Sequence, residues 1–368
     1  MDGPTFATLV QRLADRAARR GVLAGLAGAG LAGAAGLTRD NVAGKKKKTK
    51  KVTLCRGGQT ITASAKQKKK LLKAGATLGA CPTITSTSTS TTSTTPAVCP
   101  DLQPGADVQA AINAAAPGDT LRLCPGRFRV TSTLNVNKDL TLIGAGFQET
   151  ILDGEDARRV VTVSSPTTGT AAITLENLTI TGGNATGAGG GIGLQSNTTV
   201  TLRGVVVTKC MAVTGGGVTM LGSTLILENT AITDCIATDP EVGGGGIAST
   251  EGTVILKADS TVARNRAGKC GGGLLMLAAN ASKTNVLTLQ AGSQVFENEA
   301  DEGGGICVFF GTVTVEAGSS VGDNTARGSG VGDFGGGIRH FASDLTLADG
   351  TVGANDPDNC LPAKFNCI

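Results

Sequence analysis

Three consecutive glycines stand directly before an aliphatic residue six times in this chain, in "TGAGGGIGL", "AVTGGGVTM", "EVGGGGIAS", "GKCGGGLLM", "EADEGGGICVF" and "GDFGGGIRH". The aliphatics are Ile192, Val218, Ile247, Leu274, Ile306 and Ile338, so by subtraction the phrase recurs at intervals of 26, 29, 27, 32 and 32 residues. A period in this range means a fold built by stacking small units, none of which buries its apolar face alone. Glycine in runs marks a tight corner where neighbouring backbone leaves no space for Cβ and where a positive φ is called for.

Two further phrases share the period. An alternating stretch ends at Leu175, Leu202, Leu227, Leu256, Leu289, Val315 and Leu347, and apolar/polar alternation is the signature of a half-buried strand. Five or six residues later comes an aliphatic, and three residues after it a small or polar position: Gly183, Cys210, Cys235, Asn265, Asn298, Asn324 and Asn355. In the first six of these an alanine follows two residues on. Three short strands per repeat of about 25 to 33 residues, with no helix between them, predict a parallel β-helix, because a propeller blade needs four strands and about 40 residues. The fold class expected is therefore all-β, a right-handed single-stranded parallel β-helix with three strands per coil. Stacked Asn265, Asn298, Asn324 and Asn355 are expected to form a side-chain ladder at a turn, with asparagine tolerating the left-handed conformation there. Cys210 and Cys235 hold the same position on adjacent coils, where parallel Cβ vectors favour buried thiols over a disulfide.

The repeat begins after a different text. "DVQAAINAAAPGD" spaces Val108, Ala111, Ile112 and Ala115 at helical intervals and stops at Pro117-Gly118, which predicts a short amphipathic helix capping the stack. The β-helix domain is assigned to residues 99–368. Its core must be filled without Trp or Tyr and with few of the 9 Phe, so small and β-branched residues do the packing.

Ahead of it lie three segments. Residues 1–37 read as an export signal, with Arg19 and Arg20 before an uncharged Gly/Ala-rich run and a small-residue "AGA". The paired arginines resemble a twin-arginine signal; an ordinary secretory signal or a retained anchor are the alternatives. Residues 38–82 are Lys-rich and bracketed by Cys55 and Cys81. The stretch ending "TLGAC" resembles a cysteine-clasped segment of other exported bacterial proteins with twin-arginine signals. Residues 83–98, rich in Ser and Thr, read as a linker.

Residues 1–98 carry 17 Lys/Arg and 3 Asp/Glu, a balance of +14, while residues 99–368 carry 16 and 26, a balance of −10. The basic head suits cell-wall or other anionic surface polymers. Nucleic acid is not expected, since the head offers only Phe6 for stacking and the body is acidic. No segment after the signal is long and apolar enough to span a bilayer. Ten cysteines in an exported chain favour disulfides, and the local pairings expected are Cys55 with Cys81, Cys99 with Cys124, and Cys360 with Cys367. Cys270 and Cys307 show no partner in the sequence. Zinc is disfavoured, as there is no CxxC and the one histidine is His340.

On these rungs the chain resembles the pectate-lyase-like superfamily of right-handed parallel β-helices, and most of all the Gly-Gly-x-Ile repeats of polymorphic outer-membrane proteins. The resemblance covers about residues 99–368 and implies architecture; the fold hosts lyases, hydrolases, adhesins and structural spikes alike. The Asn-Thr-Asp, Asp-Asp, Gly-His-Gly and Arg-Ile-Lys stretches of polygalacturonase-like enzymes do not occur. His340 lies two residues past the aliphatic, an inward position. Pectate-lyase-like enzymes use carboxylates on Ca²⁺, and the nearest counterparts are Asp301 and Asp333, with Asp239, Glu241 and Glu302 as helpers and Lys269 as a competing cation. No cofactor is expected otherwise. Phe309, Phe310, Phe334 and Phe341 gather on the last coils, either as a patch for a partner or as closure of the stack. The sequence thus predicts an exported, surface-associated scaffold for binding, adhesion or structure, displaying loops 236–243 and 324–334 to a polysaccharide or protein ligand. The alternative is a polysaccharide lyase or glycoside hydrolase with an atypical site.

Overall fold

The computed structural model describes the strands between residues 51 and 78, Cys99, and residues 101–166, 169–280, 285–328, 335–348 and 351–361. The segments expected to be an export signal and a linker, together with Cys81, Asp333, Phe334 and Cys367, lie outside the described residues. No helix among the described residues is long and apolar enough to cross a membrane.

Lys51–Arg56, Gln59–Ser64 and Thr77–Leu78 form a small antiparallel sheet with the first strand in the middle. From Val98 onward the chain is a separate compact unit. It is a parallel β-solenoid of three long sheets, with nine, eleven and nine strands. The first sheet runs from Thr120–Arg122 to Asp344–Leu347, the second carries Gly126–Arg129 to Val352–Gly353, and the third runs from Leu134–Val136 to Cys360–Leu361. Each coil visits the three sheets in turn and pairs in parallel with the coil before it. The helix Val108–Ala114 closes the first coil: Asp107 caps it by accepting from the Ala110 N–H at 2.9 Å, and Val108 and Ile112 are buried.

The periodic aliphatics are the core. Ile192, Val218, Ile247, Leu274, Ile306 and Ile338 stack in register on the third sheet, and all are 0% exposed. Ile180, Val207, Ile232, Val262, Val295 and Val321 form the matching column on the second. Each such side chain removed from water stabilises the fold by about 1.5–3 kcal/mol, and a repeated rung reproduces that gain without adding a new kind of contact. Aliphatics fill the interior, and large rings are absent from most rungs.

The three glycines have three separate reasons, visible in Gly271–Gly272–Gly273. Gly271 turns the chain at φ +67°, a conformation costly for any residue with a Cβ. A Cβ on Gly272 would stand 2.5 Å from the backbone of Glu299 and from the Gly304 carbonyl. One on Gly273 would stand 2.6 Å from the Gly305 carbonyl and 3.0 Å from the Asn298 Nδ2. Two of the three therefore answer to the adjacent coil.

The asparagine ladder forms on the same turn. Asn265 Oδ1 accepts from the Cys235 N–H, Asn298 Oδ1 from the Asn265 N–H, and Asn324 Oδ1 from the Asn298 N–H, each at 3.0 Å. Each Nδ2 donates back to a carbonyl of the preceding coil, as Asn298 does to Val262 at 2.9 Å. The ladder ends on Asn359, which accepts from the Asn355 N–H at 3.2 Å. One expectation is corrected here. The left-handed residues are those just before the ladder, namely Lys209, Asp234, Arg264, Glu297, Asp323 and Ala354, at φ 52° to 59°. That reversal swings the following side chain inward, so the asparagines fill the turn without adopting positive φ themselves.

Candidate functional site

Asp333 lies outside the described residues, and among the described ones Asp239, Glu241, Asp301 and Glu302 do not form a group with metal-ligand spacing. Glu302 is held between the Lys269 Nζ, at 2.9 Å, and the Arg339 guanidinium. Lys269 thus neutralises Glu302 rather than Asp301. Asp301 is tied through its backbone to Gly268 and Gly328, and Asp239 accepts from the Glu241 N–H at 2.8 Å, an Asx turn in the loop. Among the described residues one group has metal-ligand spacing, Cys99, Asp101 and Cys124. Cys99 and Cys124, however, form a disulfide, which removes both sulfurs as ligands.

Cys270 and Cys307, left without partners by the sequence, are joined in a disulfide across 5.7 Å between Cα atoms. Cys270 precedes its glycine run and Cys307 follows the next one, so they hold different positions in the period. The bond clasps a small outer cluster with Val242 and Leu275 on the third sheet. Cys360 is also disulfide-bonded. Cys210 and Cys235 are free and buried, and burial pushes the Cys235 thiol well above its usual range. His340 is 5% exposed and stacks on Val308, an inward position. Phe309 and Phe341 stack outward at 4.7 Å, with the Arg339 guanidinium 4.5 Å from the Phe341 ring.

A cleft that the sequence did not flag lies near the other end. Thr150–Arg158 pairs Asp153 with Thr181, then Arg158 with Gly183, so the strand carries three surplus residues at this point. Glu155 and Asp156, at φ 55° and 53°, are thrown outward. They meet Arg127 and Arg129 of the first coil, Lys209 of the fourth, and Thr181 and Gly182 around an open cavity of about 620 Å³. Asp153 forms its floor: it is 2% exposed, paired with the Arg127 guanidinium, and accepts from the Glu155 N–H at 2.8 Å. Gly182 is required beside it, as a Cβ there would stand 2.4 Å from Asp153 Oδ1. Glu155 reaches the Arg129 Nε at 3.2 Å. Arg127 and Arg129 also line a second cavity of about 350 Å³ under the capping helix. Interleaved carboxylates and guanidiniums present alternating acceptors and donors, a surface able to hydrogen-bond a hydroxyl-rich ligand. The sequence signal was present in "DGED", an interruption of the repeat.

No protein-family model matches the chain, and no curated protein matches it. Among solved structures, it is similar to a pectin methylesterase from Aspergillus niger in its penultimately deglycosylated form, at 10% identity and a TM-score of 0.26, covering 74% of this chain and 92% of that one. The deglycosylated form gives the same identity and TM-score over 73% and 91%. At that TM-score the likeness carries no weight for function, and the architecture rests on the strand pairings themselves.

Proposed function

We propose that this is an exported, surface-associated β-helix protein serving as a rigid binding or structural scaffold. The carrying observation is that outward charges pair from coil to coil. Arg203 bonds Glu228 at 2.8 Å and lies 3.6 Å from Glu176, while Lys257 adds a 2.6 Å contact to Glu228. Arg264 donates to both carboxylate oxygens of Asp234, through Nε at 2.9 Å and Nη2 at 3.0 Å. Such pairs are individually weak, but networks of them fix the register of a stack. The result is a post that would hold exposed loop residues such as 238–241 clear of the cell. The Cys99–Cys124 and Cys270–Cys307 disulfides and the paired arginines at 19 and 20 support export, and the Lys-rich head suits an anionic wall polymer.

A second reading, polysaccharide lyase or hydrolase, is favoured by the cleft alone, where Asp153, Glu155 and Asp156 stand with three cations. One assay separates the two. The full chain is incubated with acidic and neutral polysaccharides, with and without Ca²⁺, following unsaturated-product absorbance and new reducing ends. Product that disappears in Glu155→Gln or Asp156→Asn replaces the scaffold reading with the enzymatic one; retention on a polymer without product supports the scaffold.

A further inference from the structure

The outer faces of the three sheets differ. On the third sheet the outward column runs through Gly193, Thr219, Ala248, Leu275 and Cys307 and is crossed by the Cys270–Cys307 bond and Val242. The second sheet is interrupted by the register shift at residues 154–157. The first sheet pairs from Thr120–Arg122 to Asp344–Leu347 without a shift. Its central outward column is β-branched throughout, Thr141, Thr174, Thr201, Ile226, Ile255 and Thr288 being successive partners, and every one is half-buried.

Beside it runs a column of charges with an unusual order. Before the neutral Ala348 of the ninth strand, which bonds to Val315, the first eight strands give Arg122, Ile143, Glu176 and Arg203 followed by Glu228, Lys257, Gln290 and Glu316, the last three placed by backbone bonds to Leu227, Leu256 and Leu289. Read as signs this is plus, neutral, minus, plus, then minus, plus, neutral, minus. Reversing it exchanges every sign. A copy of the same face laid against it with its stack running the other way therefore meets it with opposite charges throughout, Arg122 against Glu316, Glu176 against Lys257, Arg203 against Glu228, and neutral Ile143 against neutral Gln290. The alternation within one chain explains the middle four as rung-to-rung pairs. It does not explain Arg122 and Glu316, which are exposed, have uncharged column neighbours, and form no ion pair with a described residue.

We infer that the first sheet is the interface of a face-to-face homodimer, with its two-fold axis parallel to the strands and between Thr198–Arg203 and Thr224–Glu228. In that arrangement each column faces itself in reverse order. Thr201 meets Ile226 of the second copy and Thr174 meets Ile255, so a hydroxyl-bearing side chain packs on a larger aliphatic one. Eight strands at about 4.8 Å and three columns at about 6.6 Å give a patch of roughly 35 by 20 Å, or about 700 Å² on each copy, close to the roughly 800 Å² of a standard interface. Two flat sheets pack this way at about 10 Å separation, as inside a sandwich. The inference extends the scaffold reading by naming one partner, but it does not depend on the absence of catalysis, which the product assay reads separately.

Sedimentation equilibrium of the full chain tests it. The expected mass is that of two chains, dissociating on dilution. Arg122→Glu and Glu316→Arg should each weaken the dimer by about tenfold, since each sets like charges face to face, and the double variant Arg122→Glu/Glu316→Arg should recover the original affinity. Thr201→Lys should give a monomer with unchanged thermal unfolding, because the side chain points outward. A monomer at every concentration overturns the inference, as does a dimer insensitive to Arg122→Glu and Thr201→Lys, or a double variant no tighter than the single ones.

Discussion

The inward turn between the second and third sheets is built in two ways within one molecule. In the later coils it is filled by Asn265, Asn298, Asn324 and Asn355, whose amides bond to the coils on either side. In the earlier coils the same place holds Cys210 and Cys235, whose thiols pack as small apolar groups and point at carbonyls, Cys235 Sγ lying 3.2 Å from the Thr233 oxygen. The left-handed residue before the turn and the glycines opposite it are common to both halves. The backbone path is therefore set by the reversal and the glycines, and the ladder side chain decides only how firmly that path is held.

The hardest test of that division is at the glycines. Gly272→Val should abolish folding, since its Cβ would overlap backbone of the next coil in a place that cannot relax, a cost of about 3 kcal/mol or more. Recovery of a soluble, cooperatively melting variant would show the glycine contact to be dispensable. Next comes the ladder itself. Asn298→Ala strips the partner from the buried Asn265 N–H and empties a packed site, and should lower stability by about 2–4 kcal/mol by chemical denaturation; a loss as small as that of a surface change would mean that the two halves are held equally. The reverse substitution acts in the opposite direction. Cys235→Asn places an amide opposite the Val207 carbonyl, which Cys235 Sγ now meets at 3.9 Å, and should stabilise by about 1 kcal/mol. Destabilisation there would mean that the earlier coils are shaped for thiols.

The smallest effect is in pH. Arg264 holds the Asp234 carboxyl below its usual range, and Lys257 with Arg203 does the same for Glu228. A depressed carboxylate adds stability above its unfolded value, and that contribution is lost as pH falls through the folded value, below about pH 4. For exposed pairs the loss should stay under about 1 kcal/mol each, and Asp234→Asn should flatten the acid limb of the unfolding curve. An unchanged limb would assign the acid sensitivity to other groups.

Much of this was legible in the sequence because the period writes each column of the fold as a recurring letter. Leu202, Leu227 and Leu256 recur, and so do the strands they occupy. His340 could be placed inward by counting from Ile338. What escaped were features that do not share the period. Cys270 and Cys307 meet across coils from unlike positions, so no alignment of repeats pairs them. The cleft at Asp153 arises where "DGED" breaks the pattern, and its partners come from one other strand, which carries Arg127 and Arg129, and from the turn at Lys209. Asn359 ends the ladder from a segment where the repeat has already lapsed. The reversed charge order on the first sheet was readable only after strand register fixed which residues are neighbours.

The glycine triplets also govern how such a chain can change. Because Gly272 and Gly273 answer to the coil beyond them, removing part of a repeat would leave a corner with no match, whereas gaining or losing a whole coil leaves every corner matched. Lengths differ in segments outside those corners, such as 238–241. The molecule is in this sense modular lengthwise and permissive sideways: duplication lengthens the post by about 4.8 Å at a time, and foreign sequence grafted into a lateral loop would be carried without disturbing the axis.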